Sequence, residues 1–168
     1  MEVKVKDATV EFFGILNEES SEENIKKSLQ TALQNSNNKK IFIDFSNVKR
    51  ANSCGILSWY KIIDSFDAEF TYIKSPRWLV EQFNLSDFLN HKTFVQSIQA
   101  MFYCPKNDTH EIVSLQIGKE IPLLNDYDQF QIHLKNPKGL DLEMDFEPSE
   151  YFHFIIKNKE KFFGDLKK

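Results

Sequence analysis

The sequence is poor in residues that interrupt or cross-link a chain: its 168 residues include only 5 Gly, 5 Pro and 2 Cys. Two cysteines are too few for a disulfide framework, and so little Gly and Pro favours packed elements over flexible segments. No apolar run reaches the length of a membrane span. The first residues, MEVKVKDATVEFF, also lack the long apolar core of a signal peptide. These absences predict a folded, cytoplasmic protein.

Excess basic charge and catalytic motifs are also absent. The formal net charge is −4 at pH 7, so the chain has no general basic surface of the kind that binds nucleic acid. It contains no phosphate-cradling glycine loop, no G-x-S-x-G elbow and no HExxH zinc motif. We therefore predict a non-enzymatic protein that uses no cofactor and binds no nucleic acid.

Apolar and aromatic residues are plentiful, with a hydrophobic content of 41% and 16 Phe, which is enough for a folded core. The stretch that organises the chain is 39–58, KKIFIDFSNVKRANSCGILS. Its apolar run, 41–45, is interrupted only by Asp44, and this pattern predicts a strand that is covered on both faces. Ser46 and Asn47 then predict a short polar turn after the strand.

A helix is predicted directly after that turn. Asn52 and Ser53 are both good helix caps, and Gly55 follows in the first turn. Apolar residues follow at helical spacing, which indicates the body of the helix: Ile56, Leu57, Trp59, Tyr60 and Ile63. Asp44, near the end of the preceding strand, is expected to support this unit by accepting hydrogen bonds from the turn before the helix.

The flanking segments alternate between strand and helix patterns. In order, we expect strands at 2–6 and 8–15 that pair as a hairpin, a helix, the central strand and helix, a strand at 69–73 and a second short helix. Ser20 and Glu23 form a capping box for the first of these helices, and Ser75 and Pro76 open the last one, with Pro at the first helical position. This alternation predicts an α/β sheet whose neighbouring strands are partly parallel.

The central stretch resembles the STAS domain, the fold of the bacterial anti-sigma-factor antagonists. In that family a buried strand ends in Asp-Leu/Phe-Ser, and Asp-Ser-Ser-Gly or Asp-Ser-Ala-Gly follows before an apolar helix. Asp44-Phe45-Ser46 and Asn52-Ser53-Cys54-Gly55 stand at those places here. The resemblance covers residues 1 to about 90. It implies a regulatory module whose partner is a serine-kinase-type anti-sigma factor or another component of a signalling complex.

The same resemblance indicates a candidate site. It matches Ser53 to the Ser that the partner kinase phosphorylates, and a phosphate at a helix N-terminus meets free N–H groups and the positive end of the helix dipole. The alternative is that Asn52 or Ser53 only caps the helix, and Asn52 departs from the family Asp. The predicted partner-binding residues, on the turn and helix, are Arg50, Asn52, Ser53, Cys54, Gly55, Ser58 and Lys61. Cys54 is more plausible as a packing residue than as a redox sensor.

From Asn90 onward the pattern changes to strands joined by turn-like segments. Strands are expected at 93–103, 110–117, 130–134 and 140–146, followed by an amphipathic helix from Ser149. We therefore predict a STAS-like domain at 1–91 and a small antiparallel β unit with a terminal helix at 92–168.

The corner at Tyr103-Cys104-Pro105 resembles a bacterial zinc ribbon, which needs four thiolate or imidazole ligands. Asn107 stands where the second Cys of that knuckle would be, and the region 136–139 has no Cys. The resemblance therefore implies a ribbon that has lost its metal, and we predict no metal site.

The sequence thus predicts a non-enzymatic regulatory module in which the 52–55 turn and the following helix dock a protein partner. The alternative is a structural or scaffold protein in which Ser53 is inert and the β unit mediates self-association.

Overall fold

The computed structural model describes residues 1–86 and 88–163, and over these residues the chain forms two sheets and six helices. The strands are β1 (Glu2–Lys6), β2 (Thr9–Leu16), β3 (Lys40–Ala51), β4 (Glu69–Ile73), β5 (Thr93–Val95), β6 (Ser97–Cys104), β7 (Thr109–Gln116), β8 (Leu134–Lys135) and β9 (Asp141–Met144). The helices are α1 (Glu22–Asn35), α2 (Ser53–Asp64), α3 (Arg77–Leu85), α4 (Pro148–Tyr151), α5 (His153–Lys157) and α6 (Lys159–Phe163). No helix in these described parts has the length and apolar content that a membrane crossing requires.

The first sheet has the order β1-β2-β3-β4-β5. β1 and β2 pair antiparallel, as the predicted hairpin requires, and the other neighbours are parallel. β3 lies at the centre of this sheet, where Ile41, Ile43 and Phe45 are buried on one face, whereas Phe42 on the opposite face is half-buried. The second sheet is antiparallel with the order β7-β6-β9-β8. The predicted α/β fold class, with an antiparallel unit after it, is therefore confirmed.

The predicted turn at Ser46 and Asn47 is wrong, because β3 continues through both residues to Ala51. β2 runs beside it to Leu16, and their pairing contains two register shifts in this part. Such shifts accommodate an extra residue without ending a strand. The polar residues thus lie in an irregular part of a strand, and only Asn52 separates β3 from α2.

Two predicted helix starts are displaced by one residue. Ser21, not Ser20, caps α1 by accepting a hydrogen bond from the Asn24 N–H at 3.3 Å. The Ser20 hydroxyl instead accepts from Asn17 N and donates to Ile15 O, closing the turn after β2. Pro76 lies at the cap of α3 rather than at its first helical position.

The predicted single strand at 93–103 is two strands in different sheets. Gln96 lies between them: its N–H donates to Tyr72 O in β4 of the first sheet at 2.9 Å, and its carbonyl accepts from Ile117 N, just beyond β7 of the second sheet, at 3.0 Å. β5 therefore completes the first sheet, whereas β6 begins the second.

The predicted strand at 130–134 is also wrong, because only Leu134 of that segment pairs with β9. Phe130 instead packs its ring against Tyr127 and Phe152.

The two units share a packed contact between α3 and α5. The ring centroids of Phe83 and Phe154 are 5.5 Å apart. Asn84 accepts a hydrogen bond from Phe154 N at 2.7 Å and donates one to Glu150 O at 3.0 Å.

The predicted single terminal helix is instead the three short helices α4 to α6, and the tail DLKK lies outside the described residues. The division at 91/92 stays a prediction, with β5 belonging to the first sheet.

Candidate protein-binding site at the start of α2

Asn52 joins the end of β3 to the start of α2. Its backbone N–H donates to Leu16 O at 3.0 Å, and its side-chain Oδ1 accepts from Gly55 N at 2.9 Å. This second bond satisfies one of the free N–H groups of the first helical turn. Asn52 is therefore the helix cap, and Ser53 is the first helical residue rather than a cap.

Gly55 lets the first turn of α2 lie against the end of β2. A Cβ at this position would be 2.4 Å from Leu16 O, which is closer than non-bonded atoms approach. Further along α2, the buried Trp59 donates from Nε1 to the hydroxyl of Tyr72 at 2.9 Å and packs edge-on against Phe45. The position of α2 is thus fixed by the close backbone contact with β2 and by the packing of its buried side chains.

The outer face of α2, defined here as Ser53, Cys54, Leu57 and Lys61, is exposed. Ser53, Leu57 and Lys61 are four residues apart and therefore neighbours on one side of the helix. Leu57 belongs to the apolar set at helical spacing, yet its side chain is 58% exposed. The polar residues Ser53 and Lys61, four residues before and after Leu57, are the sequence feature that indicates an exposed position. Within the described residues, the hydroxyl of Ser53 has no hydrogen-bond partner.

Two acidic residues flank the outer face of α2, and the sequence analysis did not identify either of them. Asn52 donates from Nδ2 to Glu18 at 2.6 Å, and this hydrogen bond lowers the pKa of Glu18. Ser58 donates to Glu22, and that bond, with the smaller effect of the charge on Lys26, lowers the pKa of Glu22. Both contacts join residues more than 30 positions apart in sequence, so no local pattern predicts them.

The remaining predicted site residues have different environments. Arg50 is exposed and pairs with Ile15 across β2 and β3, two residues before the cap. Asp44 is buried and lies earlier on β3, where it accepts from Ser46 N at 2.9 Å and from Lys74 Nζ at 3.1 Å. Asp44 thus accepts a hydrogen bond from Ser46, one of the two residues predicted to form the turn, although Ser46 lies within β3. Asp44 supports the strands, whereas the residues 50–61 form the candidate site.

The described residues contain no group of three or more His, Cys, Asp or Glu side chains close enough to hold a metal ion. Cys104, the residue of the ribbon-like corner, is buried, and His110 is engaged by Asp145 at 3.4 Å.

We expect purified protein to contain far less than one zinc per chain. Aromatic packing around Phe152 and Tyr127 occupies the interior of the second unit, so a chelator should leave the melting temperature unchanged. Metal analysis of protein purified without added metal, followed by thermal melts with and without chelator, measures both quantities. Stoichiometric zinc together with unfolding on chelation would contradict the expectation.

The fold of this chain is similar to that of a solved structure. No protein-family model and no curated protein sequence matches this chain. Among solved structures, the chain is similar to the anti-sigma factor antagonist SpoIIAA in its unphosphorylated form. The match covers 56% of this chain and 84% of that chain, with 16% sequence identity and a TM-score of 0.36. At that identity and TM-score the match identifies no function for this chain.

Proposed function

We propose that this protein is a non-enzymatic regulatory module that docks a protein partner through the outer face of α2. The observation that carries the proposal is the exposed Leu57 between Ser53 and Lys61 on a rigidly held helix. Protein interfaces commonly place an apolar anchor at the centre and polar side chains around it. The resemblance of the 44–46 and 52–55 motifs to the STAS domain supports the same surface.

In this proposal Ser53 is the switch. Its hydroxyl is exposed at the first position of α2, and phosphorylation would add roughly −1.5 to −2 charge units there. The helix N-terminus tolerates such a group because unpaired N–H groups and the dipole favour negative charge. Because Ser53 is exposed and bonds to no charged side chain in the described parts of the chain, the added charge would alter partner binding more than folding. The resemblance implies a serine-kinase-type anti-sigma factor or another signalling component as the partner.

A scaffold function is the second candidate. One observation favours it: Ile112 is 65% exposed on β7, at the edge of the second sheet. In this alternative Ser53 is inert and the β unit mediates self-association.

Substitutions on the outer face of α2 should reduce partner binding without reducing stability. A charge at position 57 removes the apolar anchor, so we expect Leu57→Asp to weaken binding at least tenfold, which corresponds to about 1.4 kcal/mol. Ser53→Asp should also weaken partner binding, whereas Ser53→Ala should bind the partner as the original protein does. The measurement is capture of partners from native lysate by each immobilised variant, identification by mass spectrometry, and titration of the recovered partner.

Leu85→Asp is the matched control, because Leu85 is also a strongly exposed leucine on a helix, at 80% exposure on α3. The proposal requires Leu85→Asp to retain the partner and all variants to keep similar melting temperatures. If Leu57→Asp binds as well as Leu85→Asp does, the outer face of α2 is not the docking surface. If Ser53→Asp binds normally and Ser53 carries no phosphate in protein from its own cells, Ser53 is not a switch.

A further inference from the structure

β7 forms a free edge of the second sheet, and three hydrogen bonds show which way its backbone groups point. Ile117 N donates to Gln96 O at 3.0 Å, toward β6. Gln116 N donates instead to Glu120 Oε2, and Gln116 O accepts from Ile121 N. Because backbone groups alternate sides along an antiparallel strand, the odd-numbered residues of β7 face β6. The even-numbered residues face outward.

The outward backbone groups of His110, Ile112 and Ser114 are therefore open. Gln116 is already occupied, and no hydrogen bond from the rest of the described chain reaches the other three. Proteins usually protect such an edge with Lys, Pro, a bulge or a covering segment. β7, THEIVSLQ, contains neither Lys nor Pro, and its pairing with β6 runs without a register shift. Ile112, in the middle of this open segment, is 65% exposed.

We propose that β7 pairs antiparallel with β7 of a second copy of this chain, around a two-fold axis at Ile112. This register places Ile112 opposite Ile112 of the second copy, and His110 opposite Ser114. All three open residues of each copy then meet open residues of the other in hydrogen-bonded pairs. Gln116, whose backbone groups are occupied, is left outside the pairing. A second copy of the strand can therefore satisfy all three open residues at once while leaving the occupied Gln116 unpaired.

The side chains are also compatible with this register. On the face of Ile112, the pairs are Ile with Ile and His with Ser, and on the other face Glu111 lies opposite Val113. No like charges are placed opposite each other, which would be unfavourable across strands. Met101 pairs with Ile112 in the β6–β7 ladder, so the Ile–Ile contact would extend into an apolar strip across both copies. This inference uses no residue of α2 and stands independently of the docking proposal.

Cysteine cross-linking tests the register directly. In a Cys54→Ser background, which removes the exposed native thiol, Ile112→Cys places two thiols in a hydrogen-bonded pair. Their Cα atoms would be about 5.5 Å apart, within the range of a disulfide. The control is Ser114→Cys, whose two copies would be about 13 Å apart along the strands. We expect oxidation to convert Ile112→Cys into a covalent dimer and to leave most Ser114→Cys uncross-linked.

Sedimentation velocity over a wide concentration series tests the dimer without cross-linking. The original protein should shift from monomer to dimer as its concentration rises. Ile112→Lys should remain monomeric, because two like charges would meet at the axis, while Leu85→Lys should dimerise normally. Melting temperatures check that the exposed substitutions leave the fold intact. The proposal is overturned if the protein stays monomeric throughout, if Ile112→Lys dimerises like Leu85→Lys, or if Ser114→Cys cross-links as efficiently as Ile112→Cys.

Discussion

Gly55→Ala should lower the free energy of unfolding by about 3 kcal/mol, the upper part of the usual range for overpacking. The added Cβ would be 2.4 Å from Leu16 O and 2.7 Å from Asn17 N, and both contacts are with backbone. Neither the first turn of α2 nor the end of β2 can rotate away as a flexible side chain could. The expected result is measured by equilibrium denaturant unfolding, with the slope checked for two-state behaviour.

The sign of this effect separates two physical causes. Helix propensity alone predicts that Ala in place of Gly stabilises a helix by about 1 kcal/mol. The close approach to β2 predicts a loss instead. Cys54→Ala, at the exposed neighbouring position, is the matched control and should change stability by less than about 0.5 kcal/mol. Stabilisation by Gly55→Ala would show that α2 does not lie against Leu16 as described.

Phe154→Ala should lower the free energy of unfolding by about 4 kcal/mol, within the range for truncating a buried Phe. Phe154 is fully buried, and its ring packs against Phe83 of α3 and Phe162 of α6. Removing the Phe154 ring leaves a cavity between α3 and the C-terminal helices α5 and α6. We therefore expect the whole chain to unfold in a single transition at a lower denaturant concentration.

Leu85→Ala provides the control for Phe154→Ala, since Leu85 is on the same helix as Phe83 but is 80% exposed. Its effect on the free energy of unfolding should stay within about 0.5 kcal/mol.

A shortened chain of residues 1–91 extends the test, because it lacks β5 and exposes Phe83. That chain should be less stable or less soluble than the full chain. Two well-separated transitions in Phe154→Ala, or a shortened chain as stable as the full one, would show that the two units fold independently.

Local patterns predicted the elements that depend on nearby residues. Alternating Val3 and Val5 with the following strand indicated the opening hairpin, and Asn52 next to Gly55 indicated where α2 begins. These features are predictable because a strand's alternation and a helix cap each involve side chains and backbone groups a few residues apart. The Ser20 prediction failed by one residue for the same local reason: two adjacent serines can both cap, and the turn after β2 uses the first.

The predictions that failed more strongly concern contacts between distant segments. Ser46 and Asn47 have turn-forming side chains, yet pairing with β2 keeps them in a strand. The stretch at 93–103 shows no sign of its break, because the break depends on distant partners: Gln96 bonds through its N–H to Tyr72 O of the first sheet and through its carbonyl to Ile117 N beside the second. A strand's alternation is the same in either sheet, so the pattern could not assign β5 and β6 to different ones.

At the candidate site the sequence by itself determined the residue types at the start of α2 and their helical spacing. Only the tertiary structure decided which of them are exposed. Leu57 is exposed because none of the elements in 1–86 and 88–163 covers that side of α2, and Glu18 and Glu22 approach the site because β2 and α1 end and begin beside it. Spacing along one helix follows from its own geometry, whereas exposure and charge around it depend on segments that folding brings from elsewhere in the chain.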